Sequence, residues 1–444
     1  MKIHILACGG AVMHNIAIAL HKLGHKISGS DDEIFEPALS RLRQYGICPD
    51  AFGWFPDKIT ADLDFIILGM HAKDGNPELE KAKSLGLRIY SFPEYVFEHA
   101  RNKTRVVVGG SHGKTTTTAM IMHVLKSLDM DFDYLVGSQL EGFDTMVKFS
   151  DAPVMVIEGD EYLTSALDPV PKFLKYHPHY ALITGIAWDH INVFPTFEGY
   201  VRQFALFIES IEQNGELVYF SGDAVLKSLA EKARVRSEGY DTPSYHIDNG
   251  KTIVNHHGHD YPLEIFGEHN LQNAEGARLL CQCLGIGPER FYAALQSFKG
   301  TAKRLEKVYE NDNLLIFRDF AHSPSKLKAS IDAVRNQFGD RKIMAVFELH
   351  TFSSLNKNFL PQYQHAMDAA DEAIVYFNKH VFEQKNMQMI DSEDIKNNFG
   401  KHVLAVNETE KLISKITDFK SNVSGNGHVL LLMSSGSFDN AVLW

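Results

Sequence analysis

Four cysteines in 444 residues are too few to staple a fold, and two of them, Cys281 and Cys283, lie two apart on a helix-like stretch. At that spacing their side chains diverge, so both are expected in the core of a reduced protein rather than in a disulfide. No apolar run approaches the roughly 18 residues of a membrane-spanning helix. The first residues, MKIHILACGG, pass straight into a strand and a glycine turn, without the apolar core and cleavage site of a signal peptide. A cytoplasmic location is therefore expected. Basic residues are also scarce: 44 Lys and Arg stand against 56 Asp and Glu, a formal net charge of −12, and no basic stripe compensates it. That balance argues against a nucleic-acid partner and leaves any anionic substrate to be held by local groups. No low-complexity tract or long linker interrupts the chain, so its domains are expected to be joined compactly.

What is present is an alternation of strands and helices in a chain too long for one ordinary domain. In residues 1–104, KIHILACGG reads as strand and turn and AVMHNIAIALHKLGH as an amphipathic helix, followed by strands at KISGSD and DFIILGM and a helix at PELEKAKSLG. Residues 105–300 contain the apolar runs VVV, APVMVIE and HYALITG. Their NHHGHDY stretch carries three histidines without zinc-ligand spacing and reads as a surface hairpin. Residues 301–444 repeat the pattern at LLIFRDF, KIMAVFELH, EAIVYFN and HVLLLMSSGSFDN. Strands alternating with helices imply an α/β fold of three domains, each on a mainly parallel sheet.

The most informative stretch is VVVGGSHGKTTTTAM, residues 106–120. Three β-branched residues form a buried strand, and Gly109, Gly110 and Gly113 allow a tight turn that brings backbone N–H groups close to an anion. A helix then begins near Lys114, so its positive dipole end faces the same place. Lys114 adds a full charge and Thr115 a hydroxyl suited to magnesium, the pattern of a phosphate-binding loop. The next apolar strand ends in Glu158, Asp160 and Glu161, and the following one leads to Asp189 and His190. A carboxylate at a strand's carboxyl end beside such a loop is how these sheets hold magnesium. The glycine turn after the first strand, with Asp31 after the second, suits a nucleotide-like ligand, although its spacing is not that of a dinucleotide fingerprint.

Six segments in order (GGSHGKTTTT, EGDEY, WDH, GEHNLQNAEGA, FKGTAKRLE and DFAHSP) resemble those of the Mur ligases, the ATP-dependent amide ligases of peptidoglycan synthesis. The resemblance implies a Rossmann-like first domain (1–104) for a UDP-sugar and a P-loop ATPase-like second (105–300) for ATP. It implies a Rossmann-like third (301–444) for the amine, closing on ATP. It implies that Gly110, Ser111, His112, Gly113, Lys114, Thr115 and Thr116 cradle ATP, and that Thr115, Glu158 and His190 hold Mg2+. His269, Asn270 and Asn273 would contact the nucleotide, Arg304 its phosphate and Asp319 its ribose, with His322 near by. Gly9 and Gly10 would approach the UDP diphosphate, with Ser30 and Asp31 beside the nucleotide. His350, Ser435 and Lys357 would face the incoming amine substrate. Within the family, GSDDEIFEPALSRL, DHINVF and LLLMSSGSF resemble a branch that joins UDP-N-acetylmuramate to a murein tripeptide, in recycling. ELHTFSS resembles instead the branch using L-alanine, and a non-catalytic nucleotide-binding relative is a third reading. The resemblance implies a monomer or weak homo-oligomer without membrane or nucleic-acid partners. Two departures stand out: Val12 replaces a glycine of the first turn, and Gly185 replaces an asparagine five residues before His190. Arg202 stands nearest the place where some relatives carry a carbamylated lysine, so no such bridge is expected.

Overall fold

The computed structural model describes residues 1–165, 167–188, 193–422 and 425–443. The chain divides into two compact units: Met1–Thr242 with Gln272–Leu295, and Pro243–Leu271 with Gln296–Trp444.

The first unit holds two sheets. The smaller has four parallel strands in the order Lys26–Ser30, Lys2–Leu6, Phe65–Leu68, Ile89–Ser91. The larger has seven, with Thr104–Gly109 at its centre between Tyr180–Ile183 and Val154–Glu158. Its pairs are parallel except at one edge, where Val147–Lys148 runs antiparallel to Asp133–Leu135. Val106, Val107 and Val108 are fully buried, as a strand covered on both faces requires. The central position of Thr104–Gly109 sends its carboxyl end, and the turn after it, to the edge reached by both neighbouring strands. That is where ligands bind in open α/β sheets.

The second unit holds a six-stranded sheet in the order Glu306–Glu310, Leu314–Asp319, His428–Met433, Lys342–Glu348, Glu372–Tyr376, Val403–Val406. Only the edge strand Glu306–Glu310 is antiparallel. A separate three-stranded antiparallel sheet contains the hairpin Lys251–His256 and His259–Leu263, with His257 and His259 exposed, as expected of that stretch. Its outer strand, Tyr245–Asp248, was not anticipated. Cys281 is core but Cys283 is only half-buried, which corrects the expectation that both are interior. Among the described residues, no helix is long and apolar enough to cross a membrane.

Candidate active site

The loop between strand Thr104–Gly109 and helix Lys114–Ser127 depends on glycine at two places. Gly110 has φ +126° and Gly113 φ +78°, regions that side chains strain to occupy. A Cβ at Gly113 would also run into the side-chain amide of Asn273, so Asn273 of helix Glu268–Cys283 packs directly on the loop. A Cβ at Gly110 would collide with Thr184, whose hydroxyl donates to the His112 carbonyl. Ser111 Oγ accepts the Ala187 N–H at 2.9 Å and lies 2.9 Å from Tyr200 Oη, which fixes the loop to the segment after strand Tyr180–Ile183. Thr115 and Thr116 are buried in the first turn of the helix.

Three carboxylates follow strand Val154–Glu158 or end it, and each has its own task. Glu158 Oε1 accepts the Thr115 hydroxyl at 2.8 Å and its Oε2 accepts the Gly137 N–H at 2.8 Å. Asp160 pairs with Lys172 at 2.6 Å. Glu161, 1% exposed, pairs with Lys114 at 2.7 Å, while Lys114 Nζ also donates to the Gly110 carbonyl at 2.6 Å. Burial by itself lowers the pKa of the Lys114 ammonium, but Glu161, with Asp160 and Glu158, outweighs it and holds the group above its ordinary value. The lysine is therefore a fixed cation, held by a carboxylate that a phosphate oxygen could replace. Tyr200 Oη reaches Glu161 Oε1 at 3.4 Å, which joins lysine, loop serine and carboxylate into one network.

For magnesium, the paired Thr115 hydroxyl and Glu158 carboxylate are hard oxygen donors 2.8 Å apart, the chemistry that this ion requires. Among the described residues no cluster of three His, Cys, Asp or Glu could hold a metal alone, so phosphate oxygens and water would complete its shell. Asp189 and His190 lie outside the described residues. Gly185 has φ +139°, a conformation in which an asparagine would be strained, and its carbonyl accepts the Ser111 N–H at 3.0 Å. The glycine thus answers a backbone requirement there.

A cavity of about 430 Å³ opens between this loop and the glycine turn of the four-stranded sheet. Gly10, Ala11 and Val12 line it at the start of helix Ala11–Lys22, opposite Lys114, Glu158 and Lys172. The Gly9 N–H donates to Asp31 Oδ2 at 2.7 Å, which ties the first glycine turn to the end of the second strand. Asp31 is almost fully buried; burial first, then the adjacent Asp32 carboxylate, push its pKa up to about 6 against the Gly9 N–H. Ser30 is buried, with Lys58 Nζ 3.5 Å from its hydroxyl.

The second unit carries the remaining residues. Asn270 donates to the Phe266 carbonyl at 2.9 Å. Withdrawal from water, reinforced by Arg304, depresses the pKa of His269 to about 4, so its ring is neutral at physiological pH. Arg304 sits between Lys303 and Leu305, both at positive φ (55° and 47°), and such strain concentrates at functional turns. Asp319 accepts the Leu305 N–H at 2.7 Å, the Ala321 N–H at 2.7 Å and the Ser330 hydroxyl at 3.1 Å. Its carboxylate is thereby engaged in shaping the turn that presents Arg304. Tyr363 Oη donates to the His322 carbonyl at 2.7 Å. His350 follows strand Lys342–Glu348 and packs against Gly436, the residue after Ser435, whereas Lys357 pairs with Asp394 at 2.6 Å. Three participants escaped the sequence reading: Glu161 as the partner of Lys114, with Tyr200 and Lys172. Glu161 stood in a quoted acidic run; nothing in local sequence distinguishes the other two.

Three family descriptions match the chain: Mur ligase family, catalytic domain (residues 2–104), Mur ligase middle domain (108–281), and Mur ligase, glutamate ligase domain (303–436). The UDP-N-acetylmuramate–L-alanine ligase of Sulfurihydrogenibium sp. is 30% identical over 98% of this chain and 95% of its own. The UDP-N-acetylmuramate–L-alanyl-γ-D-glutamyl-meso-2,6-diaminoheptandioate ligase of Haemophilus influenzae is 30% identical over 78% of this chain and 79% of its own. Among solved structures, the UDP-N-acetylmuramate–alanine ligase of Thermotoga maritima superposes with a TM-score of 0.72 at 24% identity, covering 99% of this chain and 97% of that one.

Proposed function

The chain belongs to the Mur ligase family of ATP-dependent amide ligases, and from that premise we propose that it joins UDP-N-acetylmuramate to the tripeptide L-alanyl-γ-D-glutamyl-meso-diaminopimelate, in peptidoglycan recycling. Residues 1–104 take the UDP-sugar, 105–300 the ATP and 301–444 the amine. The observation that carries the chemistry is the apposition of Lys114 and Glu158, which holds the Thr115 hydroxyl, on a cavity shared with the first glycine turn. In that cavity the sugar's carboxylate takes the γ-phosphoryl group of ATP, giving an acyl phosphate and ADP. The peptide's neutral amine attacks the acyl carbon; the amide forms, phosphate leaves, and the amine's proton passes to solvent. Lys114 and the loop N–H groups stabilise the charge on the transferring group. Thr115, Glu158 and His190 would hold Mg2+, which when bound screens the repulsion between carboxylate and phosphate. His269, Asn270, Asn273, Arg304 and Asp319 serve the nucleotide, and His322 lies beside them.

The tripeptide is preferred over L-alanine because the carboxyl edge of the six-stranded sheet offers several polar groups, more than one methyl-bearing amino acid can use. A single methyl group supplies only about 1–3 kcal/mol of discrimination. The second reading, L-alanine as amine, is favoured by the name of the Sulfurihydrogenibium relative, which matches this chain over 98% of its length. Competing both amines in one reaction decides: the ratio of their kcat/KM values is expected to favour the tripeptide, and a ratio favouring L-alanine reverses the assignment.

A further inference from the structure

We propose that His14 and Asn15 are positioning residues that hold the first glycine turn in register with Glu158, so that a sugar nucleotide seated on the turn faces the phosphoryl group on the opposite wall of the cavity. This rests on the ligase reading and adds how the two walls are kept at one separation. Both side chains lie in helix Ala11–Lys22, 3% and 0% exposed, within a run whose other buried members, Met13 and Ile16 to Leu20, are apolar. Two polar side chains at such positions cost stability unless their groups are paired. Here they are paired throughout.

The chemistry of the partners fixes how the pair is oriented. The Gly10 carbonyl can only accept, so His14 Nδ1, 2.9 Å away, carries the proton, and the neutral ring leaves Nε2 as an acceptor. Burial, aided by Arg41, holds the His14 pKa below its ordinary value and favours that neutral ring. Asn15 Nδ2 donates one proton to His14 Nε2 at 3.0 Å and the other to the Ala11 carbonyl at 2.7 Å. Asn15 Oδ1 accepts the Met146 N–H at 3.0 Å, from a segment 131 residues further along the chain. An aliphatic side chain could fill the same space but could not fix these atoms.

From Met146 the bonds continue to the other wall. Its carbonyl accepts the Val136 N–H at 2.9 Å, next to the pairing of Leu135 with Val147. The following residue, Gly137, donates its N–H to Glu158 Oε2 at 2.8 Å, and Glu158 Oε1 accepts the Thr115 hydroxyl at 2.8 Å. Gly10 and Ala11 at one end of this series, and Leu135, Gly137 and Glu158 at the other, line the same cavity of about 430 Å³. The tie therefore runs from the carbonyls of the turn to the carboxylate beside the phosphate loop. A misplacement of about 1 Å between reacting groups can cost on the order of a hundredfold in rate, so a tie between the walls bears on the reaction as well as on the fold.

The test uses the full-length protein with Asn15→Leu, which keeps the volume and removes all three bonds, and Asn15→Asp, which keeps an acceptor for the Met146 N–H. Asn15→Leu is expected to lower kcat about tenfold or more, with the calorimetric Kd values for UDP-N-acetylmuramate and for ATP each within about twofold of the parent's. Asn15→Asp should recover most of the lost kcat although urea unfolds it earlier, since it buries a charge. A pair that served stability alone would rank the two variants the other way, the apolar one being the more active, and that order overturns the positioning role. His14→Met, which removes the orienting imidazole, should lower kcat in the same sense and carries the test if Asn15→Leu does not fold. Parent kcat in the folded variants, or a loss confined to the Kd for UDP-N-acetylmuramate, also overturns the positioning role while leaving the ligase reading intact. No amide from the parent protein with UDP-N-acetylmuramate, ATP and either amine would instead count against the ligase reading.

Discussion

At the scale of single residues, the phosphate loop concentrates its chemistry in Lys114. The helix start and loop N–H groups supply partial charges, but Lys114 is the full cation, kept charged by Glu161. Lys114→Ala should therefore lower amide formation on the order of a hundredfold or more, with the fold retained. Circular dichroism and turnover on the same preparation check this; near-parent turnover would remove the assignment. Asp31 gives a pH signature. Its pKa stands at about 6, against 3.8 ordinarily, so the folded state disfavours the ionised form. Its neutral form contributes stability that is fully present below the ordinary value and lost as pH rises through about 6. The displacement corresponds to roughly 3 kcal/mol, about half of it developed between pH 5 and pH 8. Urea unfolding at those two pH values should show Asp31→Asn gaining on the parent as pH rises. A constant difference would mean that Asp31 titrates normally.

At the scale of elements, the loop geometry predicts a sharper effect at Gly113 than at most glycines. Its φ of +78° costs a side chain about 1–2 kcal/mol, and a Cβ would displace Asn273 as well. Gly113→Ala should lose measurable stability and weaken ATP binding; an unchanged urea midpoint with unchanged ATP affinity would contradict the tight packing. The strands and helices that carry this loop were legible because their signals are local: three valines between polar residues and glycine, then a helix opened by lysine and threonine. The edge strands were less so. Val147–Lys148 and Asp133–Leu135 are too short to show a period, and their pairing depends on neighbours far along the chain. The same limit applies within the site. Lys114 and Glu158 declared themselves through motif and strand position, whereas the partnership of Glu161 with Lys114 is a fact of tertiary packing. Likewise the bond from the Gly9 N–H to Asp31 joins two turns that are far apart in sequence, and no local signal announces it.

At the scale of the whole molecule, the six ordered segments run from residue 109 to residue 324, and GGSHGKTTTT, EGDEY, GEHNLQNAEGA and DFAHSP fall at a strand end or a helix start. That placement is why a family could be read before any coordinates: chemistry at the carboxyl ends of parallel strands leaves dense, short motifs. The compact units follow a different division, with residues 243–271 grouped with the carboxyl-terminal part. Contacts distant in sequence set that grouping. We propose that the cavity couples ATP cleavage to activation of a sugar-nucleotide carboxylate. The most direct test is ADP release by the purified protein with Mg2+ and ATP, adding UDP-N-acetylmuramate and the tripeptide singly and together. The predicted result is rapid release only when both are present, with one amide formed per ADP. Release that ignores UDP-N-acetylmuramate, or none with any amine, would contradict the claim.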